Sequence, residues 1–231
     1  MLDFISSVAV LIAALTFIAG VSAWRREFVG KRRIELAESV LAMFYEAEDV
    51  IKQIRNPGSF VGEGNTRKRE EKELKEDSLL LDRAYIVIER YQKREMLFSQ
   101  IKSMRYRIKA VFGPSAIEPF DELDTIINEI FNAAQMLGSH YWPRQGRVEM
   151  APKEFKKHLE EMQNHEAVFW LMDKDKDTIS PRIRKMIEKI ETILQVAFVS
   201  QDNFVAGALD DIKSYMGMCI KLFKKQKPNN K

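Results

Sequence analysis

The stretch LDRAYIVIERYQKREMLFSQIKSMRYRIKAVF, residues 81–112, carries the clearest structural signal in the chain. Its apolar residues recur at the spacing of one helix face; they are Leu81, Ala84, Ile88, Tyr91, Phe98, Ile101, Ile108 and Phe112. Residues 65–112 contain neither glycine nor proline. We therefore expect one long helix here, ending at Gly113-Pro114.

Outside this stretch the apolar spacing is also helical, and prolines separate the units because they are poorly tolerated inside helices. The six boundary prolines are Pro57, Pro114, Pro119, Pro143, Pro152 and Pro181. The first unit ends near Asn56 and carries the stripe Val40, Phe44, Ala47, Ile51 and Ile54. Further helices are expected from a Ser115/Glu118 capping box to about Leu137 with Gly138 as C-cap, over 152–172, and from Ser180-Pro181 to about Ser200. The predicted fold class is all-α, an elongated antiparallel helical bundle.

The N-terminal segment FISSVAVLIAALTFIAGVSA, residues 4–23, has no charged side chain. As a helix it would span about 30 Å, the thickness of the hydrocarbon core of a bilayer. Trp24 suits the interface, and a basic cluster follows: Arg25, Arg26, Lys31, Arg32 and Arg33. We therefore expect a single transmembrane helix that continues into the bundle, with the N-terminus outside and the rest cytoplasmic. A signal peptide cleaved after Val21-Ser22-Ala23 and a buried core helix are the alternatives.

These patterns predict a domain organisation. Residues 1–24 would be a transmembrane anchor, 25–56 a membrane-proximal helical stalk, 57–77 a loop and charged segment, 78–200 a cytoplasmic helical bundle, and 201–231 a C-terminal amphipathic helix with a basic tail. The one cysteine, Cys219, excludes an intrachain disulfide and fits a reducing compartment.

Residues 90–109 have a net charge of +6 and interleaved aromatic side chains. The basic candidates for binding an anionic ligand are Arg90, Lys93, Arg94, Lys102, Arg105, Arg107 and Lys109. Residues 115–143 carry five acidic groups and no lysine or arginine. In an antiparallel hairpin the two segments would pair, so a structural role is favoured over binding of a nucleotide, nucleic acid or anionic lipid.

Candidate chemistry is sparse. Glu154, His158, Glu161 and His165 fall near one helix face and are weak candidates for a metal site, because di-iron bundles use a shorter spacing and glutamates from partner helices. Asp173, Asp175 and Asp177 alternate like the start of a calcium loop, but Thr178 replaces the glycine such a loop needs. The glycines of residues 58–64 lack the Lys-Ser/Thr of a phosphate loop. We therefore predict no catalytic, cofactor-binding or metal-binding residue, and no cofactor.

The block WRREFVGKRRIELAESVLAMFYEAEDVIKQIRNPGSFVGEGNTRKR, with LDRAYIVIERYQKREMLF and PFDELDTIINEIF, resembles a group of bacterial proteins with one N-terminal membrane helix and a helical cytoplasmic part. The resemblance covers roughly residues 24–135. It implies a bacterial inner membrane location and no named activity.

The expected function is therefore that of a membrane-anchored helical scaffold or interaction protein without catalytic activity. Its expected partners are the membrane and either a second copy bound through the stalk or another protein, because a long apolar stripe must be buried somewhere. A membrane-tethered sensor or effector that binds an anion is the first alternative. A metal-dependent enzyme around His158 and His165 is the second.

Overall fold

The computed structural model describes residues 2–71, 73–173 and 175–198. Within these ranges the chain is helical and contains no strand, which confirms the all-α class. Two compact units are present: described residues 2–38 and 194–198 belong to the first, and residues 39–193 form the second. The segment 201–231, with Cys219 and the expected amphipathic helix, lies outside the described residues.

The described residues form seven helices, numbered in chain order. They are α1 (Leu2–Ile54), α2 (Lys75–Gln92), α3 (Glu95–Phe112), α4 (Glu118–Met136), α5 (Trp142–Arg144), α6 (Pro152–Phe169) and α7 (180–198). A short 3₁₀ turn (Pro114–Ile117) precedes α4, and a π-helical turn (Leu137–Tyr141) joins α4 to α5.

In the first unit, Trp24 stacks on Phe28 with ring centroids 5.8 Å apart, and the guanidinium of Arg32 lies 4.5 Å from the centre of the Phe28 ring. The side chains of residues 2–5, 7–9, 11, 12 and 15 lie outside the described part of α1. Among the described residues, no helix has the length and apolarity that a membrane crossing requires.

The core of the second unit is made by the apolar faces of its helices. The predicted α1 stripe is confirmed: Val40, Phe44, Ala47, Ile51 and Ile54 are all buried. Phe44 meets Phe120 of α4 edge-on, with ring centroids 4.9 Å apart. The apolar face of residues 40–54 is therefore covered by the chain's own helices, so it no longer argues for self-association through the stalk.

The expectation of one helix over 65–112 is wrong in two respects. Residues 65–71 and 73–74 are not helical, and the helix is interrupted at Lys93 and Arg94, where Arg94 has φ −122°. Residues 92–96 are all exposed, so no side chain of the interruption itself is buried. The end at Phe112, with Gly113 following at φ +93°, agrees with the prediction.

Three predicted helix ends also differ. Gly138 does not end a helix but lies in the π-helical turn, where a Cβ would come within 2.6 Å of Ala84 Cβ, so a small residue is needed for close packing against α2. The Ser115 side chain makes no capping hydrogen bond. Asp177, not Ser180, caps α7, because Asp177 Oδ1 accepts from the backbone N–H groups of Ile179 (3.0 Å) and Ser180 (3.2 Å).

Candidate functional site

The loop between α1 and α2, residues 55–74, is held against α2 by one arginine. Arg90 donates to the main-chain oxygens of Gln53 (3.3 Å), Ile54 (3.2 Å) and Asn56 (2.6 Å), and so binds carbonyl groups at the end of α1 and directly after it. It also donates to both carboxylate oxygens of Glu63, at 2.8 Å each. The hydrogen bond from Arg90 lowers the pKa of Glu63 and keeps that carboxyl ionised.

A glutamate beside it holds the second half of the loop. Glu89 Oε2 accepts from the Gly64 N–H (2.7 Å) and the Thr66 hydroxyl (2.9 Å), and Oε1 accepts from Lys93 (2.8 Å). Lys93 and these loop donors lower the pKa of Glu89. Gly64 has φ +86°, and a Cβ there would lie 1.9 Å from the carbonyl oxygen of Asp82, so only glycine allows this approach.

The charged end of the loop forms a network of ion pairs. Arg67 pairs with Glu73 and, at 3.2 Å, with Asp82, whose other oxygen accepts from Arg69 at 2.6 Å. The bond from Arg67, supported by the Ser78 hydroxyl, lowers the pKa of Glu73 to about 2. The charged part of the segment 57–77 is therefore bonded to α2 through Asp82.

A cavity of about 330 Å³ lies between this loop and α2. Its lining combines polar and apolar side chains: Pro57, Ser59, Glu63, Asn65, Leu79, Asp82, Arg83, Ile86 and Trp170. The guanidinium of Arg83 lies 4.7 Å from the centre of the Trp142 ring and 6.0 Å from that of Trp170. Charge, hydrogen-bonding groups and an indole ring thus meet in one concave site.

Directly after α1, Arg55 is fully buried and ties α1 to the end of α6. It donates to the carbonyl oxygens of Ala167, Val168 and Trp170, each at 2.8 Å, and to Asp177 Oδ1 at 2.9 Å. Burial tends to raise the pKa of Asp177, but the hydrogen bonds from Arg55 and Ser180 outweigh it and lower that pKa. Burial lowers the pKa of Arg55.

The structure divides the seven basic candidates of residues 90–109. Arg90 holds the loop, Lys93 pairs with Glu89, and Arg105 pairs with Asp121 (2.5 Å) and Asp124 (3.9 Å) of α4. The other four are Arg94, Lys102, Arg107 and Lys109, which are exposed and have no ion pair within the described residues. Arg105 thus makes the expected contact between the basic and acidic helices.

Three of the four weak metal candidates lie around Tyr141, but they do not form a metal centre. The rings of His158 and His165 lie 5.5 and 5.0 Å from that of Tyr141, while Glu161 accepts its hydroxyl at 3.3 Å. Glu154 instead pairs with Arg144, at 3.6 Å. No group of three or more histidine, cysteine or acidic side chains among the described residues is arranged to hold a metal ion.

The residues that build the candidate site were not predicted as site residues, apart from Arg90. Arg55, Asp82, Arg83 and Glu89 look like ordinary surface charges in sequence. One signal was present, because the glycines of NPGSFVGEGN indicate backbone that must approach another element closely. The partners on α2 lie 13–37 positions away from the loop groups they hold, and no local pattern connects them.

Comparisons of the chain with protein-family models, with curated proteins and with solved structures found no match.

Proposed function

We propose that this protein is a membrane-anchored helical scaffold that self-associates through the loop between α1 and α2. The observation that carries the proposal is the tip of that loop. Phe60 is 85% exposed and Val61 is fully exposed, although both are large apolar side chains. Two adjacent large apolar side chains at one exposed tip offer surface that a contact with another protein would bury.

The tip is built to keep these side chains outside. The Glu63 N–H donates to the Phe60 carbonyl and the Phe60 N–H donates to the Glu63 carboxylate, both at 3.1 Å, and Gly62 supplies φ +89°. Arg90 then fixes Glu63. Presenting a rigid apolar tip lowers the entropy cost of association.

The anchor part of the proposal rests on sequence. Residues 4–23 lack charge, and the cluster Arg25, Arg26, Lys31, Arg32 and Arg33 would place the following chain in the cytoplasm. An anchor in a bacterial inner membrane would confine copies to one plane. This confinement raises their effective concentration, so a small apolar contact suffices for pairing.

Photo-crosslinking in cells tests self-association. A benzoylphenylalanine at position 60 is expected to give a crosslinked dimer, while the same group at exposed Tyr106 of α3 serves as the matched control. Phe60→Ser with Val61→Ser should shift the detergent-solubilised chain to a monomer in light scattering. Equal crosslinking at both positions, or a monomeric wild type, would contradict the proposal.

Protease accessibility in spheroplasts tests the proposed orientation of the chain in the membrane, with its N-terminus outside and the rest in the cytoplasm.

The exposed charges of α3 support a second candidate. Lys102, Arg107 and Lys109 have no ion pair within the described residues and lie near Tyr106, which is 76% exposed. A basic face with an aromatic side chain suits a nucleic acid or an anionic lipid. The net charge of +3 for the whole chain gives this candidate less support than the loop gives the first.

A further inference from the structure

The cavity between the loop and α2 is lined by Arg83, an exposed arginine that has no ion pair among the described residues. No hydrogen bond or ion pair to the Arg83 guanidinium is present among residues 2–71, 73–173 and 175–198. Its plane is instead held by the Trp142 ring, at 4.7 Å, and by that of Trp170, at 6.0 Å. Contact with aromatic rings fixes a guanidinium while leaving its N–H edge free to donate.

The acidic groups nearby do not supply the missing partner. Glu63 is bound through both oxygens by Arg90, and Asp82 is bound by Arg67 and Arg69. Glu73 is engaged by Arg67. None of these carboxylates is bonded to Arg83, and neither is Glu166, which accepts the indole N–H of Trp142 at 2.9 Å, so the guanidinium can bind an anion rather than a cation.

The other lining groups define the rest of the ligand. Trp170, Leu79 and Ile86 offer apolar surface, while Ser59 and Asn65 bring a hydroxyl and an amide. The volume, about 330 Å³, lies at the lower end of the range of small-molecule sites. A planar ring therefore fits against the apolar part of the cavity, with its charged group at Arg83.

We propose that this cavity binds a small aromatic oxyanion, a carboxylate or a phosphate monoester. Arg83 would bind the anionic group through two parallel hydrogen bonds, and Trp170 would contact the ring. The site does not depend on self-association, although residues 57–65 contribute to both. Loss of dimers in Phe60 variants would leave it intact.

The experiment uses the full chain in detergent micelles, labelled with 5-fluorotryptophan. The three tryptophans, Trp24, Trp142 and Trp170, give three fluorine resonances that single Trp→Phe variants assign. Phenyl phosphate and benzoate are the probes, benzyl alcohol is the uncharged control, and inorganic phosphate is the control without a ring. We expect saturable shifts of the Trp170 and Trp142 resonances with the two aromatic anions, and none at Trp24.

Arg83→Gln should weaken binding at least tenfold, and Arg83→Lys should weaken it less, because charge remains without the planar fork. Arg184→Gln removes an exposed arginine of α7, far from the cavity in sequence and outside the basic face of α3, and should change nothing. Circular dichroism melts establish that each variant is folded. If Arg83→Gln unfolds, the affinity of Arg83→Lys tests whether Arg83 binds the anion. The proposal is overturned if no probe gives a saturable shift, if benzyl alcohol binds as well as benzoate, or if neither Arg83 variant weakens binding.

Discussion

Arg55 and Asp177 form an ion pair of 2.9 Å in which the side chains are 1% and 4% exposed. The pair joins the end of α1 to the segment before α7. The same guanidinium caps α6 through the carbonyl oxygens of residues 167, 168 and 170, so most of its donors are used. Burial of two charges is costly, and this geometry offsets the cost by hydrogen-bonding both of them.

Removing one member of this pair should be strongly destabilising. Arg55→Met leaves a buried carboxylate without its partner, and we expect a loss of about 3–5 kcal/mol in the free energy of unfolding. Urea denaturation measures it. The exposed pair Lys52–Glu48, with side chains 43% and 30% exposed, is the control, and Lys52→Ala should cost less than about 1 kcal/mol. Similar losses in both variants would contradict the role of burial.

Acid should destabilise the second unit through carboxyl groups whose pKa is lowered by folding. Folding lowers the pKa of Glu73 from 4.5 to about 2 through its bond with Arg67, and lowers that of Asp177 as well. The unfolded chain binds more protons, so their stabilising contribution is complete above about pH 5 and falls as the pH drops towards 2. Urea midpoints between pH 2 and 6 measure this slope.

Glu73→Gln and Asp177→Asn should each flatten that pH dependence, because the amide no longer titrates. Glu71→Gln provides the control: Glu71 is exposed and its carboxylate has no ion pair within the described residues. An unchanged slope in both variants would show that other carboxyl groups govern acid stability.

Helix positions were largely predictable, whereas the polar network was not. Val40, Phe44 and Ile51 follow a period set by the chain itself, and burial follows from it. Arg90 and Arg55 have no such period, since each binds main-chain oxygens that become available only where a distant helix ends. Residues 92–96 show a second way in which prediction from sequence fails. Their helix propensity continues through the interruption, but none of their side chains is buried.

Gly62 and Gly64 allow the cost of a positive φ to be measured separately from the cost of a steric clash. Gly64→Ala places a methyl group 1.9 Å from the Asp82 carbonyl oxygen in addition to its φ of +86°. Gly62→Ala has the same strain, with φ +89°, but its nearest neighbour is the Asn65 amide at 3.7 Å. Gly62→Ala should therefore cost about 1–2 kcal/mol, and Gly64→Ala distinctly more. Urea denaturation compares them, and equal costs would contradict the contact.

Arg90→Gln should release the loop without unfolding the helices. The variant loses the bonds to the end of α1 and to Glu63, so amide hydrogen exchange should become faster in residues 56–66 and stay slow in α4. Arg94→Gln is the matched control, because Arg94 is exposed and has no ion pair within the described residues. Unchanged exchange at the loop would mean that Glu89 and Gly64 hold it alone.

The charges of α3 should separate into two kinds. Arg105→Glu opposes Asp121 and Asp124 with a third negative charge, so it should lower the unfolding free energy by about 1 kcal/mol. Arg107→Glu with Lys109→Glu meets no such partner within the described residues and should change stability by less than about 0.5 kcal/mol. Thermal melts measure both.

If α3 binds polyanions, only the double variant should lose affinity for a labelled RNA oligonucleotide while keeping its full stability. The wild type should then bind the RNA with a steep salt dependence. Weak RNA binding that is the same in wild type and the double variant would leave α3 a structural element.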